Sequence, residues 1–187
     1  MSASDFLGRL TAILESVGIE YMVVGSFAST FHGFTRTTQD IDIVIALGAG
    51  QVRDLVERFP EDDYYISDAA VQDAVRRRSQ FNVIDLDTGW KADLVIQKAR
   101  PFSVQELQRR QRRTLMGHSL WVATAEDTII AKLEWATHGH SERQLRDVTG
   151  ILEVKGDDLD FDHIDHWTAE LGLTEIWNRV RSGAPGS

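Results

Sequence analysis

Two aspartates, Asp40 and Asp42, stand two residues apart in Asp40-Ile41-Asp42-Ile43-Val44-Ile45, a run that is otherwise aliphatic. Acid alternating with aliphatic is strand periodicity, so both carboxylates fall on one face with their Cα atoms about 7 Å apart. Carboxylates on an apolar strand are costly unless something compensates them. A divalent cation does so, and Mg2+ prefers a few carboxylates completed by water and substrate phosphates. Upstream, the apolar run Ile19 to Val24 leads into Gly25-Ser26 and a short helical stretch, Ser26 to His32, ended by Gly33. A Gly-Ser turn at a helix start offers backbone amides and a hydroxyl to an anion. Strand, turn, helix and strand in that order put Ser26 and the two acids at one mouth, which suits a nucleoside triphosphate with its metal.

A two-metal site needs a third acid. The best candidate is Asp93, inside Lys91-Ala92-Asp93-Leu94-Val95-Ile96, since a neighbouring strand would bring it opposite Asp42. The rival is Asp85 in Val83-Ile84-Asp85-Leu86, closer to the hairpin signal Asp87-Thr88-Gly89.

The elements that must position these acids can be read in chain order. Phe6, Leu7, Leu10, Ile13, Leu14 and Val17 recur at helical spacing with Ser4 as N-cap and Gly18 as stop. Strands are expected over Ile19 to Val24, Asp40 to Ala46, Tyr64 to Ile66, Phe81 to Leu86 and Trp90 to Ile96, with helices over Gln51 to Phe59 and Asp68 to Arg78. Val104 to Arg112 reads as a helix carrying Arg109, Arg110 and Arg112, followed by a hairpin of Arg113 to Met116 and Ser119 to Val122. Four helices close the chain: Ala125 to His138, Ser141 to Val154, Phe161 to Leu171 and Thr174 to Arg181. The alternation predicts an α/β (α+β) fold, a mixed sheet flanked by helices with further helices at the C-terminal end. The expected division is a core over 1–124, a helical region over 125–182 packed on it, and a flexible tail over 183–187.

At 42% hydrophobic residues the chain can bury a core. The absence of cysteine removes disulfides, thiolate metal sites and cysteine nucleophiles together. The start, Met1-Ser2-Ala3-Ser4-Asp5, shows no basic region followed by an apolar block, so no signal peptide is expected. No apolar run approaches the ~18 residues of a membrane span, and the expected location is the cytoplasm. A net charge of -9 argues against a broad nucleic-acid surface, though the arginines at 109–113 could hold an RNA backbone locally. No Gly-x-x-x-x-Gly-Lys signature is present, which disfavours a P-loop enzyme. His163 and His166 are read as surface histidines, and Trp167 and Trp177 as packing residues.

Gly25-Ser26, then Asp40-Ile41-Asp42, then Asp93 on a later strand resembles the polymerase-beta-like nucleotidyltransferase superfamily. Arg36-Thr37-Thr38-Gln39 before the acids, Lys132-Leu133 after Ala125-Glu126-Asp127, and Arg146-Asp147 one helix later resemble the small bacterial AbiEii-type members. The resemblance covers residues 1 to 150 or so. It implies that Asp40, Asp42 and Asp93 bind Mg2+ or Mn2+ and that Asp93 also helps deprotonate the acceptor hydroxyl. It implies further that Gly25 and Ser26 hold the terminal phosphates, that Lys132 and Arg36 neutralise triphosphate charge, and that Asp147 shapes the nucleotide pocket. The reaction implied is in-line attack on the α-phosphate of a nucleoside triphosphate with pyrophosphate leaving. A toxin-like role follows from the same resemblance, with tRNA or a protein as acceptor and a cognate antitoxin as partner. Two alternatives stand beside it: a small-molecule, antibiotic-type nucleotidyltransferase, and a nucleotide-binding protein without transfer activity.

Overall fold

The computed structural model describes residues 3–32, 40–115, 117–139 and 142–183. Gly33, Arg36 and the residues before Asp40 that support the narrower resemblance lie outside them. The chain divides into two compact units, Met1–Phe27 with Thr37–Ala123, and Ala28–Arg36 with Thr124–Ser187.

The first unit holds a mixed sheet. Its strands are β1 (Tyr21–Val23), β2 (Asp40–Ile45), β3 (Tyr64–Tyr65), β4 (Gln80–Asp85), β5 (Lys91–Ile96), β6 (Gln111–Leu115) and β7 (His118–Val122), in the order β3-β4-β5-β2-β1-β7-β6. β2 runs parallel to β5 and β1 parallel to β7, while the other neighbours are antiparallel. The predicted mixed α/β architecture is thus the one observed.

The pleat explains where the acids go. Ile41, Ile43 and Ile45 of β2 and their partners Ala92, Leu94 and Ile96 of β5 are at most 2% exposed and build one apolar face. Each of the isoleucines and the leucine contributes roughly 1.5–3 kcal/mol by leaving water. Alternation then turns Asp40, Asp42 and Val44, with Lys91, Asp93 and Val95, to the other face. Further along that face, Val44 joins Met22, Ala123 and Leu107, the last from α5 (Pro101–Arg109). The acids therefore occupy the starts of two adjacent parallel strands, and apolar packing takes over beyond them.

α1 (Ala3–Ser16), whose Phe6, Leu7, Leu10 and Leu14 are fully buried, packs against the sheet. Phe6 stacks on Tyr64 at 6.4 Å between centroids, and Arg9 donates to the Tyr64 hydroxyl at 2.8 Å and pairs with Asp85. A seven-residue helix, α2 (Gly25–Phe31), follows β1; α3 (Val52–Val56) is shorter than the stretch expected from Gln51 to Phe59. After it comes α4 (Asp68–Arg77), N-capped by Ser67 and closed by Arg78 at φ 50°.

The second unit carries α6 (Ala125–Gly139), α7 (Glu142–Lys155), α8 (Phe161–Glu170) and α9 (Thr174–Arg181). Thr124 accepts from the Asp127 amide at 3.1 Å and donates to its carboxylate at 2.9 Å, a capping arrangement for α6. The other Asp127 oxygen lies 2.7 Å from His163 Nε2, tying α8 to α6. His163 is therefore a buried partner of an acid, its side chain 7% exposed, and not the surface histidine expected. Trp167 and Trp177 are buried, as expected of packing residues.

A second correction concerns the arginines. Pro101 sits in the first turn, where its missing N–H costs nothing, so α5 starts and ends three residues earlier than expected. Arg112 consequently lies on β6 and not on a helix face. Arg110 and Arg112 flank the Trp121 ring at 4.9 and 5.4 Å, and they pair with Glu20 and Glu15. Their charge is largely answered within the chain.

Candidate active site

Asp42 and Asp93 are direct register partners on the parallel strands β2 and β5, with Asn82 of β4 opposite Asp93. Adjacent strands are about 4.8 Å apart, so the two carboxylates stand side by side on one face. This is the juxtaposition anticipated from the two strand sequences. The rival acid is spent elsewhere. Asp85 is 1% exposed, pairs with Arg9, and accepts the Asp87 and Thr88 amides at 3.1 and 3.0 Å in the hairpin turn.

Asp93 is used very differently. Its side chain is 14% exposed, and its buried Oδ1 accepts no hydrogen bond among the described residues. The nearest cation is Lys91, whose Nζ lies 3.3 Å from Asp93 Oδ1 and 3.3 Å from Asp40 Oδ1. These are charge contacts, longer than the 2.7–2.9 Å or so of a charge-assisted hydrogen bond. Burial pulls the Lys91 ammonium down, but Asp93 and Asp40 outweigh it and leave its pKa above the usual lysine value. Lys91 drew no functional reading from the sequence. The available signal was its spacing, two residues before Asp93 as Asp40 is before Asp42, which in a parallel pair makes it the partner of Asp40.

Gly25 is fixed by two constraints. Its φ of +64° favours glycine, and a Cβ added there would sit 2.9 Å from Asp42 Cγ and closer still to Oδ2. The turn into α2 is thus pressed against the Asp42 carboxylate, and the Val24 amide donates to the Asp42 carbonyl at 2.9 Å. Ser26, the next residue, is 8% exposed at the start of α2.

Lys132 and Asp147 are brought together in the second unit. Lys132 of α6 donates to Asp147 of α7 at 2.6 Å and to Gln144 at 3.1 Å, with both charged side chains at most 5% exposed. The expected nucleotide-side lysine and acid are therefore one buried ion pair.

The donor set suits a hard divalent ion in chemistry, since it offers carboxylate oxygens, one of them buried and accepting no hydrogen bond. Among the described residues, no three acidic or histidine side chains converge into a ready-made metal cluster. Asp40, with its side chain 53% exposed, is linked to Asp93 through Lys91.

Solved structures share this architecture. The antibiotic-resistance factor ANT(2'')-Ia aligns at 13% identity over 94% of this chain and 96% of its own, with a TM-score of 0.57. An antigenic nucleotidyltransferase-like protein from Paracoccidioides brasiliensis aligns at 16% identity over 95% and 91%, with a TM-score of 0.56. The lincomycin-bound lincosamide antibiotic adenylyltransferase LnuA aligns at 10% identity over 82% and 98%, with a TM-score of 0.53. The fold is a nucleotidyltransferase fold. No family model and no curated protein matches the sequence. The AbiEii-type resemblance accordingly rests on the motifs alone. Among the described residues, no helix of this nucleotidyltransferase fold is long and apolar enough to cross a membrane.

Proposed function

We propose that the chain transfers a nucleoside monophosphate from a nucleoside triphosphate to an acceptor hydroxyl, with Asp40, Asp42 and Asp93 as ligands of Mg2+ or Mn2+. The observation that carries this reading is the register pair Asp42–Asp93, with a buried Asp93 oxygen that accepts no hydrogen bond among the described residues, on a nucleotidyltransferase fold. A bound divalent ion would supply charge stabilisation at the attacking and leaving oxygens of the in-line displacement. Asp93 also helps take the proton of the attacking hydroxyl. Ser26 and the amide beside it hold the terminal phosphate oxygens, and the close seat of Gly25 against Asp42 keeps that turn beside the acids. By the motif resemblance Lys132, which donates to Asp147 and Gln144, neutralises triphosphate charge. Arg36 adds a further positive charge to the triphosphate. Positioning and charge neutralisation of this kind supply most of the catalysis in phosphoryl transfer.

The favoured acceptor is a small-molecule alcohol. Two features support it: the likeness to ANT(2'')-Ia runs over nearly the whole of both chains, and Arg110 and Arg112 are already paired with glutamates. The toxin-like reading, with tRNA or protein as acceptor and a cytoplasmic antitoxin, draws on a different observation, the meeting of the motif residues Lys132 and Asp147. Incubation with α-labelled nucleoside triphosphates, Mg2+ and separate pools of aminoglycosides and lincosamides, tRNA, and lysate protein distinguishes them. Label on a small alcohol supports the favoured acceptor, and label on tRNA or protein replaces it with the toxin-like one. Absence of label from every pool, together with retained nucleotide binding, refutes the transferase reading.

A further inference from the structure

We infer that Lys91 is a built-in counter-cation of the acid site, seated between Asp40 and Asp93 where a divalent ion must displace it. The inference rests on the proposed reading of these aspartates as metal ligands.

Register places Lys91 there. It is the β5 partner of Asp40 and lies two residues before Asp93, so its side chain rises on the acid face between the two. Its Nζ touches one oxygen of each at 3.3 Å, and its side chain is 33% exposed. Without it, three carboxylates at the starts of two neighbouring strands would repel one another with one cation fewer on their face. The ammonium relieves that repulsion in the metal-free protein.

The contacts are loose enough to exchange. Neither is a hydrogen bond of good geometry, and the buried Asp93 Oδ1 still accepts none. A Mg2+ ion that engages these same two Oδ1 atoms at about 2.0–2.1 Å takes the place of the ammonium between them. Loading the site therefore expels Lys91 toward solvent, along a four-carbon stem long enough to move without unfolding the strand. Metal-free stability and weak metal affinity are two consequences of one residue.

The test measures Mn2+ binding to the nucleotide-free protein by electron paramagnetic resonance, beside thermal stability without metal. Lys91→Met keeps the stem and removes the charge; Lys91→Gln is the second variant should the first fold poorly, and Lys91→Arg keeps the charge. Lys91→Met and Lys91→Gln are expected to bind Mn2+ on the order of tenfold more tightly than wild type. They should melt lower without metal and recover more on adding it, while Lys91→Arg stays close to wild type. Unchanged or weakened Mn2+ binding in both neutral variants, with Asp42→Asn and Asp93→Asn still weakening it, overturns the role of Lys91 and leaves the proposed chemistry standing. Mn2+ binding indifferent to Asp42→Asn and Asp93→Asn overturns both.

Discussion

Replacing Gly25 with alanine tests whether the turn is pressed against Asp42. The new Cβ would stand 2.9 Å from Asp42 Cγ and 3.0 Å from its Cβ, nearer still to Oδ2, at a backbone φ of +64°. The left-handed conformation alone costs a non-glycine residue roughly 1–2 kcal/mol, and overpacking typically adds about 1–3 kcal/mol. The stiffer unfolded chain returns about 0.4–1 kcal/mol. The net expectation is a loss of about 2–4 kcal/mol, a fall in Tm of roughly 5–15 °C for a domain of this size. Gly89→Ala is the internal control, because Gly89 has φ +72° with nothing within 4 Å of its added Cβ, so it isolates the conformational cost. Asp42→Ala removes the two atoms that crowd most. In that background Gly25→Ala should cost little more than Gly89→Ala, a coupling of about 1–3 kcal/mol between neighbours. Thermal unfolding by circular dichroism gives the sums, and hydrogen exchange over 40–45 and 91–96 assigns the loss to the sheet. A Gly25→Ala variant no less stable than Gly89→Ala would refute the close approach.

Lys132→Met leaves the Asp147 carboxylate buried without its cation and should cost about 3–5 kcal/mol, whereas Lys132→Met with Asp147→Leu should recover most of it; urea denaturation measures both, and a neutral single variant would contradict the buried pair. Asp85→Asn should lose about 1–3 kcal/mol through Arg9 and the turn amides while transfer activity persists. Asp93→Asn should abolish transfer with a stability change under about 1 kcal/mol, and labelled-nucleotide assays beside melting curves separate the two acids. The Tyr21 phenol is pushed up to about 12, first by burial and then by Glu15, to which it donates at 3.0 Å. Its folded pKa lies above the unfolded value near 10, so its contribution is present below pH 10 and fades as pH rises toward 12. Between pH 9 and pH 11 wild type should lose more Tm than Tyr21→Phe does, and equal slopes would refute the assignment.

Much of the sheet was legible because its cues are local. The alternation in Asp40 to Ile45 and Lys91 to Ile96 sets which side chains share a face, and a parallel pairing of two such strands makes Asp42 and Asp93 neighbours. The preference for Asp93 over Asp85 also followed from distance to the hairpin turn, and the turn amides do engage Asp85. Lys91 was not legible, because its significance depends on register: one residue of slip would move it to the opposite face. The buried partnership of His163 with Asp127 spans 36 residues and leaves no periodic trace. The arginines misled for another reason. Val104 to Arg112 has acceptable helical composition throughout, and only the fixed φ of Pro101 at the start and the pairing of β6 with β7 moved the boundary.

The acid face explains why the donor side of the chemistry is so much easier to read than the acceptor side. On the proposed function, binding a triphosphate and its ion demands charged and small residues at fixed spacing on regular strands, and the structure places Gly25 against Asp42 and Asp42 beside Asp93. Those demands are imposed by backbone geometry, which sequence periodicity reports. An acceptor is recognised by surface shape and by side chains on loops, which loop variation changes without altering the sheet. The same fold can therefore present its acids to a small alcohol or to a macromolecule with the donor residues unchanged. In this chain two of the four arginines at 109–113 are already engaged, Arg110 and Arg112 being held against Trp121 and paired with Glu20 and Glu15. A nucleic-acid acceptor would have to break those pairs before gaining their charge, whereas a small alcohol has no need of them.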